Sequence, residues 1–351
     1  MAKPVRLAVA GYGLVGRRHV EAISKTDAAN VACVIEPDES ARQEAEATGF
    51  QVFDSLESFV REALADGIIL ATPSPMHVDQ GLACVARGLP VLVEKPIATR
   101  AADADKLVNA AEAAGVPLLV GHHRRHNRLI GRAKALIDEG QVGTIRAVQA
   151  TCWFYKPDAY FDAAPWRKDA GAGPVSVNLV HDVDVLRYLC GEVTSVRAVA
   201  RPSARGHANE DVASALLEFE SGAVGTINVS DAIVAPYSWE MTSREYPVYP
   251  PVDATCCVIG GSHGTLSIPD LKLWCYADGN RDWWVPLSVS KIDYASSDPL
   301  VNQIENFAQV INGKETPIVS GAEGTRTLRV VESIQDAART GDCVMLTLRQ
   351  R

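Results

Sequence analysis

Paired cysteines, basic runs and long apolar stretches are all missing from this chain. Its eight cysteines, at 33, 84, 152, 190, 256, 257, 275 and 343, include no C-x-x-C pair and no histidine spacing that would complete a tetrahedral zinc site. They are expected to be reduced and mostly buried. No block of about five or six lysines and arginines occurs, and 34 basic against 43 acidic residues leave a net charge of -9. Such a balance attracts neither a phosphate backbone nor an anionic membrane surface, so nucleic-acid and membrane partners are not expected. No run approaches roughly 18 uninterrupted apolar residues. The opening MAKPVRLAVAGYG passes from one lysine straight into a strand with no h-region or small-residue cleavage site. The expected location is cytoplasmic. Internal repeats and low-complexity linkers are absent too.

What is present is the composition of an ordinary globular protein, 47% hydrophobic and 22% charged, over 351 residues. At about 100 to 200 residues per domain, that length suggests two domains. From residue 5 to about 121, short apolar runs (VRLAVAG, VACVI, GIILATP, PVLVEKP, PLLVG) alternate with helix-like stretches at about 14–26, 38–48, 77–87 and 99–114. Continuous apolar strands between helices mean a parallel sheet covered on both faces. Gly49, Gly88 and Gly115 fall just past helix ends, and Pro90 and Pro117 open the next strands. After residue 122 the texture changes. A helix at about 127–139 leads into segments of period two: TIRAVQATCWFY, SVRAVAR, VASALLEFE, AVGTINVSD, TCCVIGG, GTLSIP and LKLWCYAD. These read as antiparallel strands with one buried face, accompanied by helices at about 181–190, 300–312 and 321–341. The expected fold is an α/β Rossmann domain with a doubly wound parallel sheet over 1–121. An α+β domain with an open, mostly antiparallel sheet follows over 122–351, its last helix able to pack back on the first domain. The second domain is expected to bind substrate and to oligomerise.

Residues 9–19 read VAGYGLVGRRH, which sets Gly11, Gly13 and Gly16 in G-x-G-x-x-G spacing after the first strand and at the start of a helix. The first glycine permits the tight turn, the second lets a pyrophosphate approach the backbone, the third allows close packing, and the helix start supplies unpaired N–H donors. Leu14 and Val15 lie inside this loop. Glu36 ends the second strand twenty residues after Gly16, where a carboxylate accepts from adenosine ribose hydroxyls and repels a 2′-phosphate. The pattern points to a dinucleotide, and to NAD rather than NADP. Arg17 and Arg18, which could tolerate a phosphate, are expected to face solvent or the pyrophosphate.

At the fifth strand VLVEKPIAT puts Glu94, Lys95 and Pro96 at a carboxyl edge, where ligands of open α/β sheets bind. Pro96 restricts the residue before it and is a candidate for a cis bond that would aim Lys95. Further on, residues 175–184 read VSVNLVHDVD. Here His181 follows an apolar, strand-like run and stands where a helix begins, either as a core histidine or as a proton carrier.

With these residues the chain resembles the Gfo/Idh/MocA family of oxidoreductases over nearly its whole length. The motifs are the glycine loop, Ala71-Thr72-Pro73 with His77, Glu94-Lys95-Pro96, the turn His122-His123-Arg124-Arg125 after Gly121, His181-Asp182-Val183-Asp184, and the helix DPLVNQIENF. The resemblance implies that Lys95 contacts and polarises a reacting hydroxyl and that His181 is the acid/base. That fits alcohol oxidation, in which a proton leaves oxygen as hydride leaves carbon. It also implies that Ala71, Thr72, Pro73, His77, Glu94, Lys95 and Pro96 join the glycine loop and Glu36 around the cofactor. Many members carry an aspartate four residues before the histidine, but this chain has Val177 there. The nearest polar side chain is Asn178, which can hydrogen-bond a hydroxyl but carries no net charge. Asp182 and Asp184 could orient the imidazole or serve as first-turn carboxylates, and Asp184 is taken as a site candidate.

His122, His123 and His126 lie in one turn without a cysteine or carboxylate, so no metal is expected. His123 stands where family members have a residue near the substrate. The stretch WFYKPDAYFDAAPWRKDAGAG at 153–173 suits a loop over a polar substrate. Lys156, Tyr160 and Arg167 are its expected contacts. SWEMTSREYPVYPP at 238–251 could cap a neighbouring subunit's site or a sheet edge. The expected activity is NAD-dependent oxidation of a secondary hydroxyl on a polyol, inositol, sugar or hydroxylated acid, by a homodimer or homotetramer. The alternatives are a keto-sugar reductase, a cofactor-retaining sugar oxidoreductase, and an NAD-binding regulatory protein without chemistry.

Overall fold

The structure, a computed structural model, describes residues 3–62, 65–277 and 279–347. Asp278, the last residue of the predicted strand LKLWCYAD, lies outside them. The first six strands are β1 Val5–Ala10, β2 Ala29–Ile35, β3 Val52–Phe53, β4 Gly67–Leu70, β5 Val91–Val93 and β6 Leu118–Val120. Between them run α1 Leu14–Ile23, α2 Glu39–Ala47, α3 Leu56–Glu62, α4 His77–Val85 and α5 Ala101–Ala114. There follow α6 Arg128–Asp138, β7 Ile145–Trp153, α7 Asp158–Asp162, α8 Val180–Cys190, β8 Val193–Pro202, β9 Glu210–Phe219, β10 Val224–Ser230, α9 Trp239–Thr242, β11 Cys257–Gly261, β12 Gly264–Ile268, β13 Lys272–Cys275 and β14 Ser288–Lys291. The last elements are α10 Pro299–Ile311, α11 Gly321–Thr340 and β15 Val344–Met345.

By packing, the chain forms two units. One holds the residues up to Asn127 together with Ser297–Leu328, the other Arg128–Ser296 together with the residues from Arg329 on. In the first unit all six strands pair in parallel, in the order β3-β2-β1-β4-β5-β6. The apolar runs are continuous because alternate residues serve two cores. Ala8, Ala10, Ile68, Leu70, Val91 and Val93 pack with Cys84 and Val85 of α4 and Leu107 of α5. Leu7, Val9, Ile69, Leu92 and Leu119 pack with Ala22 and Ile23 of α1 and with Ile304 and Phe307 of α10. Strand order reverses at β1, so the connections leaving β1 and β4 run to helices on opposite faces, α1 and α4, the topology at which doubly wound sheets bind ligands. The sequence pattern does not foresee β3 and α3. A two-residue strand is too short to display a period.

The second unit carries a nine-stranded sheet in the order β14-β13-β12-β11-β7-β10-β9-β8-β15. Its pairs are antiparallel except β10 with β7. Along β9, Ala213, Ala215, Leu217 and Phe219 point into a core shared with Leu129 and Ile130 of α6, Val183 and Leu186 of α8 and Val330 and Ile334 of α11. The intervening positions face outward, and there Val199, Leu216, Val224 and Val289 remain exposed. One segment differs in kind from its expected form. Val175–Leu179 is not strand-like but one π-helical turn that runs directly into α8. Valine and leucine suit a buried helix as well as a strand, and the run is too short for its period to decide.

Candidate functional site

The glycine loop has the shape its spacing predicts. Gly11 has φ +88°, and a Cβ there would lie 2.7 Å from the Ala71 carbonyl oxygen. At Gly16 a Cβ would come within 1.8 Å of the Gly11 oxygen, whereas at Gly13 it would meet nothing within 4 Å. The first and third glycines therefore hold the turn closed, and the second leaves its outer side open for a phosphate to approach. No side chain caps α1, and its first turn holds no acidic residue, so its N–H groups are left to an anion. Leu14 and Val15 are exposed beside them. Glu36 ends β2 with one hydrogen bond at each oxygen, from Tyr12 N–H to Oε2 at 2.6 Å and from Asp38 N–H to Oε1 at 2.9 Å. Each oxygen keeps a lone pair for a ribose hydroxyl. Arg17 ion-pairs with Glu44 at 2.6 Å, and Arg18 with Glu21 at 2.6 Å. These residues fit NAD.

Behind the loop a partly buried chain of polar contacts reaches Lys95. His19 of α1 donates from Nε2 to Glu94 Oε1 at 2.7 Å, and Glu94 Oε2 accepts the Lys95 N–H at 3.1 Å. Burial pushes the Glu94 carboxyl up, but the His19 hydrogen bond and the charges of His19, Lys95 and His123 outweigh it and bring its pKa down to about 2. The Lys95-Pro96 bond is cis. His77, buried at the start of α4, lies between two loops, with Nε2 2.8 Å from the Thr72 oxygen and Nδ1 2.9 Å from the Pro96 oxygen. Burial lowers its pKa, against the pull of those two carbonyls and of Glu94. Thr72 itself donates to Gln80 at 2.6 Å, and Pro73 opens the short turn before α4. His123 is partly exposed at the exit of β6, and Arg125 pairs with Glu323 at 3.0 Å. Among the described residues no group of three histidine, cysteine or acidic side chains could hold a metal ion.

In the second unit the π-helical turn brings Asn178 in just ahead of α8, where His181 occupies the first turn and Asp184 lies three residues further along the same face. All three are buried, with His181 at 8% exposure. Lys156 donates to Asn178 Oδ1 at 2.6 Å and lies 3.5 Å from Asp231. Burial lowers the Lys156 pKa, although Asp231 opposes it; burial likewise raises that of Asp231 against Lys156 and Arg205. Tyr160 stands between two cations, Lys156 at 4.9 Å and Arg167 at 4.0 Å from its ring centre.

Residues 5–122 match the family described as "Oxidoreductase family, NAD-binding Rossmann fold", and residues 130–267 match its "GFO/IDH/MocA C-terminal domain". The chain belongs to the Gfo/Idh/MocA family. Among its relatives is the inositol 2-dehydrogenase of Rhodococcus erythropolis, 36% identical over 229 residues, 62% of this chain and 63% of that protein. The rhizopine catabolism protein MocA of Rhizobium meliloti is 25% identical over 93% of each chain. In three dimensions the WlbA dehydrogenase of Bordetella pertussis, solved with NADH and UDP-GlcNAcA, superposes with a TM-score of 0.80 at 30% identity, over 99% of this chain and 100% of that one. This Gfo/Idh/MocA protein is an NAD-binding oxidoreductase. Two features of it escape sequence reasoning. The His19–Glu94 contact joins residues 75 positions apart, and Asp231 and Arg205 meet Lys156 from separate strand ends. No local spacing announces either.

Proposed function

We propose that this protein is an NAD-dependent dehydrogenase of a secondary hydroxyl on a polyol, inositol, sugar or hydroxylated acid. The observation that carries the reading is Lys95, held by its own N–H to the partly buried Glu94 at the carboxyl edge of a sheet whose glycine loop fits the dinucleotide. Bound NAD supplies the hydride acceptor. The Lys95 ammonium polarises the substrate oxygen and stabilises the alkoxide as it forms. His181, at the head of α8, takes the proton from that oxygen and returns it in the reverse direction. Asn178, His123, Lys156, Tyr160, Arg167 and Asp184 contact the substrate or orient the imidazole. The inositol 2-dehydrogenase and sugar-nucleotide likenesses support a polyhydroxylated substrate. A second copy of the chain covers the open sheet face, as homodimer or homotetramer, and the eight unbridged cysteines suit the reducing cytoplasm.

NADH formation over a panel of inositols, aldoses, lactones and hydroxy acids tests the reading. His181→Ala is expected to lower kcat by about 10² to 10⁴ while NADH binding, followed by fluorescence, persists. Unchanged turnover in that variant removes the mechanism.

A further inference from the structure

We propose that Arg167 receives a carboxylate of the substrate, so that acidic sugars or hydroxy acids are turned over in preference to their neutral counterparts. This rests on the dehydrogenase reading and narrows its substrate class. Four cations pack around residues 156–168 and the β8–β9 connection, and they differ in what neutralises them. Lys168 pairs with Asp162 at 2.8 Å. Arg205 reaches Asp231 at 3.2 Å and Asp158 at 3.6 Å. Lys156 shares the same Asp231 at 3.5 Å. Arg167 has no carboxylate partner among the described residues. Its Nη1 donates to the Tyr160 carbonyl at 2.6 Å, and its Nε is buried without an acceptor.

Asp231 is thus shared by Lys156 and Arg205, and Asp158, the second carboxylate at Arg205, is largely in water with 79% of its side chain exposed. A guanidinium that is partly withdrawn from water and left with a vacant donor is costly unless something acidic completes it. Its planar fork matches a carboxylate in bidentate fashion, which a hydroxyl cannot reproduce. The fork is also held in advance. The guanidinium stands 4.0 Å over the Tyr160 ring and its Nη1 is tied to the Tyr160 carbonyl, so little side-chain freedom is left to lose on binding. The link to the acid/base helix is short. Lys156 approaches the same Tyr160 ring at 4.9 Å and donates to Asn178, three residues before His181. An anion at Arg167 therefore belongs to the neighbourhood of the histidine.

Matched pairs decide the matter: D-glucuronate with D-glucose, D-galacturonate with D-galactose, and D-gluconate with D-glucitol. Each is measured for NADH formation and, by calorimetry, for binding to the NADH-loaded protein. The acid of at least one pair is expected to exceed its neutral partner in kcat/KM by about tenfold or more. Arg167→Gln is expected to bring that ratio near one, and Arg167→Lys to retain part of it. Equal handling of acid and neutral partners by the wild type overturns the inference and leaves the dehydrogenase reading standing. So does a loss in Arg167→Gln that falls equally on both partners, which is the result of mere packing on Tyr160. Acids that bind through Arg167 while no member of the wider panel of inositols, aldoses, lactones and hydroxy acids is oxidised support the carboxylate site and remove the dehydrogenase reading. Neither turnover nor binding of any acid overturns the inference.

Discussion

Glu36 and Glu94 are both carboxylates at strand ends, yet their surroundings give them different tasks. Glu36 holds the Tyr12 and Asp38 N–H groups and keeps acceptor capacity for ribose hydroxyls. Glu36→Ala is expected to lower the ratio of kcat/KM for NAD over NADP by about tenfold or more, measured by steady-state kinetics with each cofactor. A ratio that does not move would mean the carboxylate is not at the ribose. Glu94 faces inward, where burial raises its pKa but His19, Lys95 and His123 together bring it to about 2, below the ordinary 4.5. A depressed carboxylate stabilises the fold above its unfolded pKa, and that contribution drains away as pH falls from about 4.5 through about 2. At most about 3 kcal/mol is involved. Urea titrations between pH 5 and pH 2 are expected to show a shallower loss of stability in Glu94→Gln than in the wild type.

At the scale of elements, the glycine loop and the π-helical turn show how far local pattern reaches. The loop was legible because its requirement is local. Gly16 must lack a Cβ since one would sit 1.8 Å from the Gly11 oxygen a few residues earlier. Gly16→Ala is therefore expected to displace the turn and weaken NADH binding by about tenfold or more, read by fluorescence titration. The run VSVNL was not legible in the same way. Its β-branched residues have a strand-like composition, but the helical backbone of α8 continues through them, with Val175 buried and Val177 partly so. A π turn inserts one extra residue per turn, and so decides which of Val177 and Asn178 meets Lys156. It is Asn178 that does so.

For the molecule as a whole, each unit has its own core, and the first is completed by residues from far along the chain, with Ile304 and Phe307 closing one face of its sheet. One face of the nine-stranded sheet packs on the core of its unit. Leu216 and Val224, on adjacent strands, are 40% and 47% exposed on the other. If a second copy covers them, Leu216→Glu combined with Val224→Glu is expected to reduce the mass found by light scattering to that of one chain, with the far-ultraviolet dichroism retained. An unchanged mass places the subunit contact elsewhere.

Composition and spacing determined the two-part α/β and α+β plan, the dinucleotide loop and the acidic residue that follows it at Glu36. Each of these depends on periodicity or on neighbours a few residues away. Tertiary structure alone decided that His19 supports Glu94, that Asp231 is shared by Lys156 and Arg205, and that Arg167 has no carboxylate partner among the described residues. Those pairings join segments from separate elements. Which charge meets which is set by where strand ends and loops converge, and that is fixed by packing of the whole sheet rather than by any local run of residues.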